Sequence, residues 1–134
     1  MKFLLDTNPC IQVIRGRNPL VIARYRSHPP SDMSVCSPVV AELRHGAARS
    51  RHPAAELAKV RNFLRPHHSL PFDDDAAAIY ADIRADLEVQ GTPIGQFDTM
   101  IAAIALAHGL TLVTHNTAEF ARVPGLQLVD WERP

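Results

Sequence analysis

Three short apolar runs in this chain break off at a polar residue and pass at once into a helix start. Lys2-Phe3-Leu4-Leu5 ends at Asp6 and leads to Asn8-Pro9, an N-cap and first-turn proline. Met33-Ser34-Val35-Cys36 leads to Ser37-Pro38, and Leu110-Thr111-Leu112-Val113-Thr114 leads to Asn116. Near-continuous apolar runs with helices between them are the mark of strands buried on both faces, joined by helical crossovers. The expected class is therefore α/β, with a central, mostly parallel sheet flanked by helices on both faces.

The helical segments carry their own punctuation. Asn18-Pro19 repeats the cap-plus-proline signal and opens a helix that stops before the Ser27-His28-Pro29-Pro30 break. Val39, Glu42 and Leu43 ride the helix after Ser37-Pro38, which is expected to stop near Gly46. Leu57, Val60 and Leu64 recur at helical spacing between Pro53 and Pro66. Ser69 to Phe72 is a short strand weakened by Pro71. Asp73-Asp74-Asp75 opens an amphipathic helix with Ile79, Ile83 and Leu87 on one stripe, ending at Gly91-Thr92-Pro93. An alanine-rich helix runs from Asp98 to Gly109, and Leu126 to Val129 is a last strand. No repeat or linker interrupts residues 1–134, so a single domain is expected.

At 134 residues and 46% hydrophobic content the chain can bury about two thirds of its unfolded surface around one core. Asp6 cuts the opening apolar run short, so no membrane segment is expected there and the reading is a cytoplasmic protein. Cys10 and Cys36 lack metal or disulfide spacing and read as buried reduced thiols. Net charge is zero, yet residues 11–70 hold ten of the fourteen basic residues against three acids, and residues 71–134 reverse this. The asymmetry permits a basic face beside an acidic cleft, and it equally permits solvated helix faces.

Asp6 ends the first strand, Glu42 lies about one turn into the helix after the second, and Asp98 stands at or near a helix N-terminus. Right-handed crossovers would set these elements side by side, at the carboxyl ends of the strands where such sheets bind ligands. Two like charges about 4 Å apart repel by roughly 4 kcal/mol at an effective dielectric near 20, so three clustered carboxylates need retained protons or a cation. Oxygen donors favour Mg²⁺, with Mn²⁺ as the alternative, over zinc. Asn116 and Glu119 fit a capping-box-like pair as well as a site role, and the aspartate triplet at 73–75 fits a helix N-terminus.

Leu5-Asp6-Thr7-Asn8, Ser37-x-x-x-x-Glu42-Leu43-x-x-Gly46, Gly95-x-Phe97-Asp98-x-x-Ile101-Ala102-Ala103 and Thr114-x-Asn116-x-x-x-Phe120, followed by Val123-Pro124-Gly125-Leu126, stand in order over nearly the whole chain. In these stretches the chain resembles a PIN domain, and within that superfamily a VapC-type toxin of a type II toxin–antitoxin pair. The resemblance implies a Mg²⁺-dependent endoribonuclease in which Asp6, Glu42 and Asp98 hold the metal and Asn116 takes the place of a usual fourth acid. Glu119 is the residue that would compensate for the missing charge. It implies metal-assisted in-line attack by water on an RNA phosphodiester, with Glu42 as ligand or base, Asn116 positioning water or a phosphate oxygen, and Thr7 and Ser37 donating to a phosphate. The implied partners are an RNA substrate, a cognate antitoxin that covers the cleft, and a second copy in a homodimer. DNA association is implied only through the antitoxin, and no membrane association is implied.

Three other readings compete. Phosphoaspartyl chemistry on Asp6 lacks a placed lysine, since the chain has only Lys2 and Lys59. Nucleotide-dependent dehydrogenases and ATPases need glycine motifs that the six glycines do not form. A catalytically decayed module that binds RNA or protein stays open because of Asn116.

Overall fold

The computed structural model describes residues 1–134. Five strands, β1 (Phe3–Leu5), β2 (Met33–Cys36), β3 (His68–Leu70), β4 (Thr111–Val113) and β5 (Leu128–Val129), form one sheet in the order β3-β2-β1-β4-β5. Every neighbouring pair is parallel. Seven helices connect them: α1 (Thr7–Arg15), α2 (Pro19–Arg26), α3 (Ser37–Ala48), α4 (Pro53–Leu64), α5 (Asp74–Val89), α6 (Gln96–His108) and α7 (Thr117–Phe120). All four residues of β2 are buried although successive side chains point to opposite faces, so the sheet is covered on both sides there. The strands feed one cluster of 27 buried apolar residues, in which Leu4, Val35, Ile101, Ile104 and Leu112 are fully enclosed. No helix is long and apolar enough to cross a membrane.

The chain builds the sheet outward from β1 through β2 to β3, then jumps back across to β4 on the other side of β1. Neighbouring crossovers diverge at that reversal and leave a crevice beyond the carboxyl ends of β1 and β4. Register sets what faces it: Leu5 pairs with Val113, so Asp6 and Thr114 follow as the next residues on adjacent strands.

Several boundaries differ from the sequence expectation, each for a local reason. Helix α1 begins two residues early, because Asp6 rather than Asn8 is the N-cap and accepts from the Thr7 amide. Asn18 caps α2 as expected, accepting from the Val21 amide. Helix α3 runs past Gly46 to Ala48, and Ser37 is its first residue with Cys36 in the cap position. The strand near Pro71 is shifted to His68–Leu70, on the sheet edge, which leaves the proline outside the ladder. Helix α6 begins at Gln96 from a Gly95 cap, so Asp98 lies within its first turn. Asp73 caps α5 by accepting from Ala76, and Asp74 and Asp75 fall in the first turn, consistent with the helix-terminus reading of that triplet. Cys10 and Cys36 are buried free thiols, held well above the ordinary thiol range by burial, Cys36 at about 12.

Candidate active site

Asp6, Glu42, Asp98 and Asn116 come from four remote segments and line one open cleft of about 600 Å³. Thr7, Asn8, Ile11, Arg15, His45, Gly46, Arg49 and Phe97 complete its wall. Each acid owes its place to an element end: Asp6 follows β1, Glu42 is in the second turn of α3, Asp98 is in the first turn of α6, and Asn116 precedes α7.

Asp6 is the most enclosed of the three acids. Its two carboxylate oxygens take different donors, Oδ1 the Thr7 amide at 2.9 Å and Oδ2 the Thr114 hydroxyl at 2.8 Å. Thr114 in turn accepts from the Asn116 amide at 3.0 Å, so one hydroxyl fixes Asp6 and the backbone that carries Asn116. The Thr7 hydroxyl donates to Glu42 Oε1 at 3.1 Å, joining the end of β1 to α3. That hydroxyl is therefore committed to Glu42 in this arrangement, where the sequence reading had it facing a phosphate.

All three carboxyl groups are held above the ordinary acid range, and desolvation by burial is the largest cause in each. For Asp98 the charges of Asp6, Glu119 and Glu42 add to it, and the group is pushed up to about 6. Asp6 also raises Glu42, whereas the Thr114 and Thr7 hydrogen bonds partly offset the burial of Asp6. No salt bridge neutralises any of the three. A desolvated, all-oxygen, mutually repelling set is chemically suited to a hard divalent cation.

The tightest group of metal-type donors is elsewhere. His115, Asp130 and Glu132 place ligand atoms all within 4.8 Å of one another. There His115 Nδ1 sits 3.1 Å from Asp130 and 3.2 Å from Glu132, and Arg133 Nε lies 3.3 Å from Asp130. The cleft acids share a wall without reaching that closeness, an arrangement suited to an ion that keeps part of its water shell, as Mg²⁺ does with one or two carboxylates.

Two residues from the sequence set stand apart from the cleft wall. Ser37 is exposed on the β2–β3 side, and its hydroxyl accepts from the Phe72 amide at 3.1 Å. Glu119 does not line the cleft either, but it is near enough to help hold the Asp98 proton. Asn116 occupies the cap position of α7 without a side-chain cap bond, so the capping-box reading fails and its amide is left toward the cleft.

The sequence reading missed Thr114, Arg15, His45 and Arg49. For Thr114 the signal was present: a hydroxyl directly after an apolar strand, beside the strand that delivers Asp6. For Arg15 and Arg49 the signal was only the basic bias of residues 11–70, from which these two reach the cleft wall, and nothing in the sequence marked His45.

Residues 3–126 match the PIN domain family, and the chain belongs to it. Over 131 residues, 98% of each chain, it is 40% identical to the tRNA(fMet)-specific endonuclease VapC of Salmonella typhimurium, which sets it in the VapC branch of that family. The fold superposes on a chain of the DNA-bound VapBC crystal structure from the same organism with a TM-score of 0.91, at 40% identity and 98% coverage of both chains. A chain of VapBC2 from Rickettsia felis, bound to a promoter DNA fragment, gives 0.90 at 31% identity, covering 98% of this chain and 99% of that one.

Proposed function

We propose that this chain is a Mg²⁺-dependent endoribonuclease, the cytoplasmic toxin of a toxin–antitoxin pair, with Mn²⁺ as a substitute ion. The observation that carries the reading is the convergence of Asp6, Glu42, Asp98 and Asn116 from four segments on one cleft whose wall also holds Arg15, His45 and Arg49. Carboxylates and arginines in one cleft match a substrate that is a polyanion cut at a metal-dependent centre.

Asp6 and Asp98 hold the ion directly, and Glu42 either joins them or orients the attacking water. Bound Mg²⁺ supplies charge neutralisation at the phosphate and a water of lowered pKa. Thr114 and Thr7 keep the Asp6 and Glu42 carboxylates aimed, the outer-shell role that hydroxyl and amide donors serve around metal ligands. Arg15 and Arg49 draw the RNA backbone into the cleft. The Asn116 amide oxygen positions a water or a phosphate oxygen without adding charge, which favours a single-ion site.

Initiator transfer RNA is the first substrate to try, since the relative from Salmonella typhimurium is named for it. The VapBC relatives support a small antitoxin partner, through which any DNA contact is made; the homodimer is the assembly that the family resemblance implies. The test is end-labelled RNA incubated with purified protein, with Mg²⁺ or with chelator. Cutting that needs Mg²⁺ and disappears in Asp98→Asn supports the enzyme; RNA bound but left whole under all conditions supports the decayed-module reading.

A further inference from the structure

Phe97 is 49% exposed, one of only three large hydrophobic side chains so open to solvent. The other two, Met1 and Val89, do not line the cleft. A single exposed apolar residue ordinarily needs no explanation; the position of this one does. Phe97 immediately precedes Asp98 in the first turn of α6, and it borders two adjoining hollows. The larger, of about 600 Å³, contains Asp6, Arg15, His45, Arg49 and Asn116. The smaller, of about 400 Å³, is formed by Glu42, Gly95, Gln96, Phe97 and Asp98 and has no cation. Glu42, Phe97 and Asp98 are common to both, so the aromatic ring borders each hollow where the two acids also do.

Building on the ribonuclease reading, we propose that Phe97 is a stacking platform for the RNA base next to the scissile phosphate. The charge pattern divides the nucleotide between the hollows. Phosphates go to the arginine-bearing side, and an unpaired base goes to the side that has no cation, where it lies on the Phe97 ring with the Gln96 side chain at its edge. An aromatic face accepts any base, whereas a base still stacked in a duplex cannot reach it, so the substrate class is single-stranded RNA or a loop with splayed bases. Phe97 thereby contributes to substrate binding and to the choice of unpaired sites.

The test compares Phe97→Ala, Phe97→Leu and Phe97→Trp in active protein, and again in a non-cleaving Asp98→Asn background. The probe is single-stranded RNA spanning the mapped cut, with 2-aminopurine on either side of the cut phosphate. Stacking predicts quenched 2-aminopurine on one side only, lost in Phe97→Ala and Phe97→Leu and restored in Phe97→Trp. In active protein KM rises roughly ten- to a hundredfold for Phe97→Ala, the range for losing one base–aromatic stack, with a smaller change in kcat and an unchanged melting temperature. Wild-type KM in Phe97→Ala, or full affinity in Phe97→Leu, overturns the platform while leaving the ribonuclease reading in place. Intact protein that neither binds nor cuts RNA overturns both.

Discussion

Two acidic groups lie on either side of the β4–α7 loop and have been given opposite treatment. At the chain's C-terminal end, Asp130 and Glu132 face His115, and Arg133 and Asn18 close around them. In the cleft, Asp6, Glu42 and Asp98 receive neutral donors or none, and no basic side chain pairs with them. The first group is satisfied from within and ties the loop that carries Asn116 to the tail. The second has no charged partner, and burial raises all three proton affinities, with neighbouring carboxylates adding to the effect at Glu42 and Asp98. On the proposed reading the ion goes to the cleft, so uncompensated charge, not closeness of donor atoms, marks its place.

That contrast can be broken in order of effect. Asp98→Asn should lower RNA cleavage by more than about 100-fold, beyond the 10- to 100-fold typical of outer-shell changes, measured as single-turnover rates on labelled RNA. Asp130→Asn should leave those rates within several-fold of wild type, and equal losses in the two variants would erase the distinction. Thr114→Val, which removes a donor to Asp6 and an acceptor for Asn116, should fall between them at about 10- to 100-fold.

Ion binding should be visible in stability as well. Mg²⁺ at a hundred times its Kd should add about 2.7 kcal/mol to the folded state, read as a rise in melting temperature that chelator reverses. Asp98→Asn should blunt the rise, whereas His115→Ala should keep it, which assigns the ion to the cleft rather than to the tighter cluster.

The smallest effect concerns pH without metal. Asp98 in the folded protein titrates at about 6, above its ordinary value of 3.8, so the folded state holds that proton more tightly than the unfolded chain does. Its contribution is therefore full below about pH 4 and is lost as pH rises through about 6, a decline of roughly 1 kcal/mol once solvent screening of a half-buried group is allowed for. Asp98→Asn should flatten this part of the metal-free melting curve against pH. A wild-type minus Asp98→Asn difference that instead rises between pH 4 and 6 would show that Asp98 is charge-compensated within the protein.

Strands β1, β2 and β4 were readable because each is a brief apolar run stopped by a polar residue, and parallel order followed from the helical stretches between them. Helix starts were less readable, since cap choice depends on side-chain contacts: the Asp6 carboxylate took the Thr7 amide and displaced Asn8 from the role. Asp6, Glu42, Asp98 and Asn116 could be named as candidates because each sits at a strand end or in the opening turns of a helix. Ser37 looked equivalent by that logic. It misled because the strand order sets β2 between β1 and β3, and the Ser37 hydroxyl meets the backbone that follows β3 rather than the crevice. Thr114 reaches Asp6 across 108 residues of chain, which spacing alone does not reveal.

The pairing of Leu5 with Val113 has a consequence for how such a site tolerates change. Sliding β4 by one position against β1 would replace the Thr114 hydroxyl beside Asp6 with either a valine or a histidine, and would set Thr111 or Thr114 in the place of a buried Leu112 or Val113. Single-residue insertions or deletions in the loop ahead of β4 that shift this register should therefore cost core packing and turnover together, because one alignment of two strands sets both.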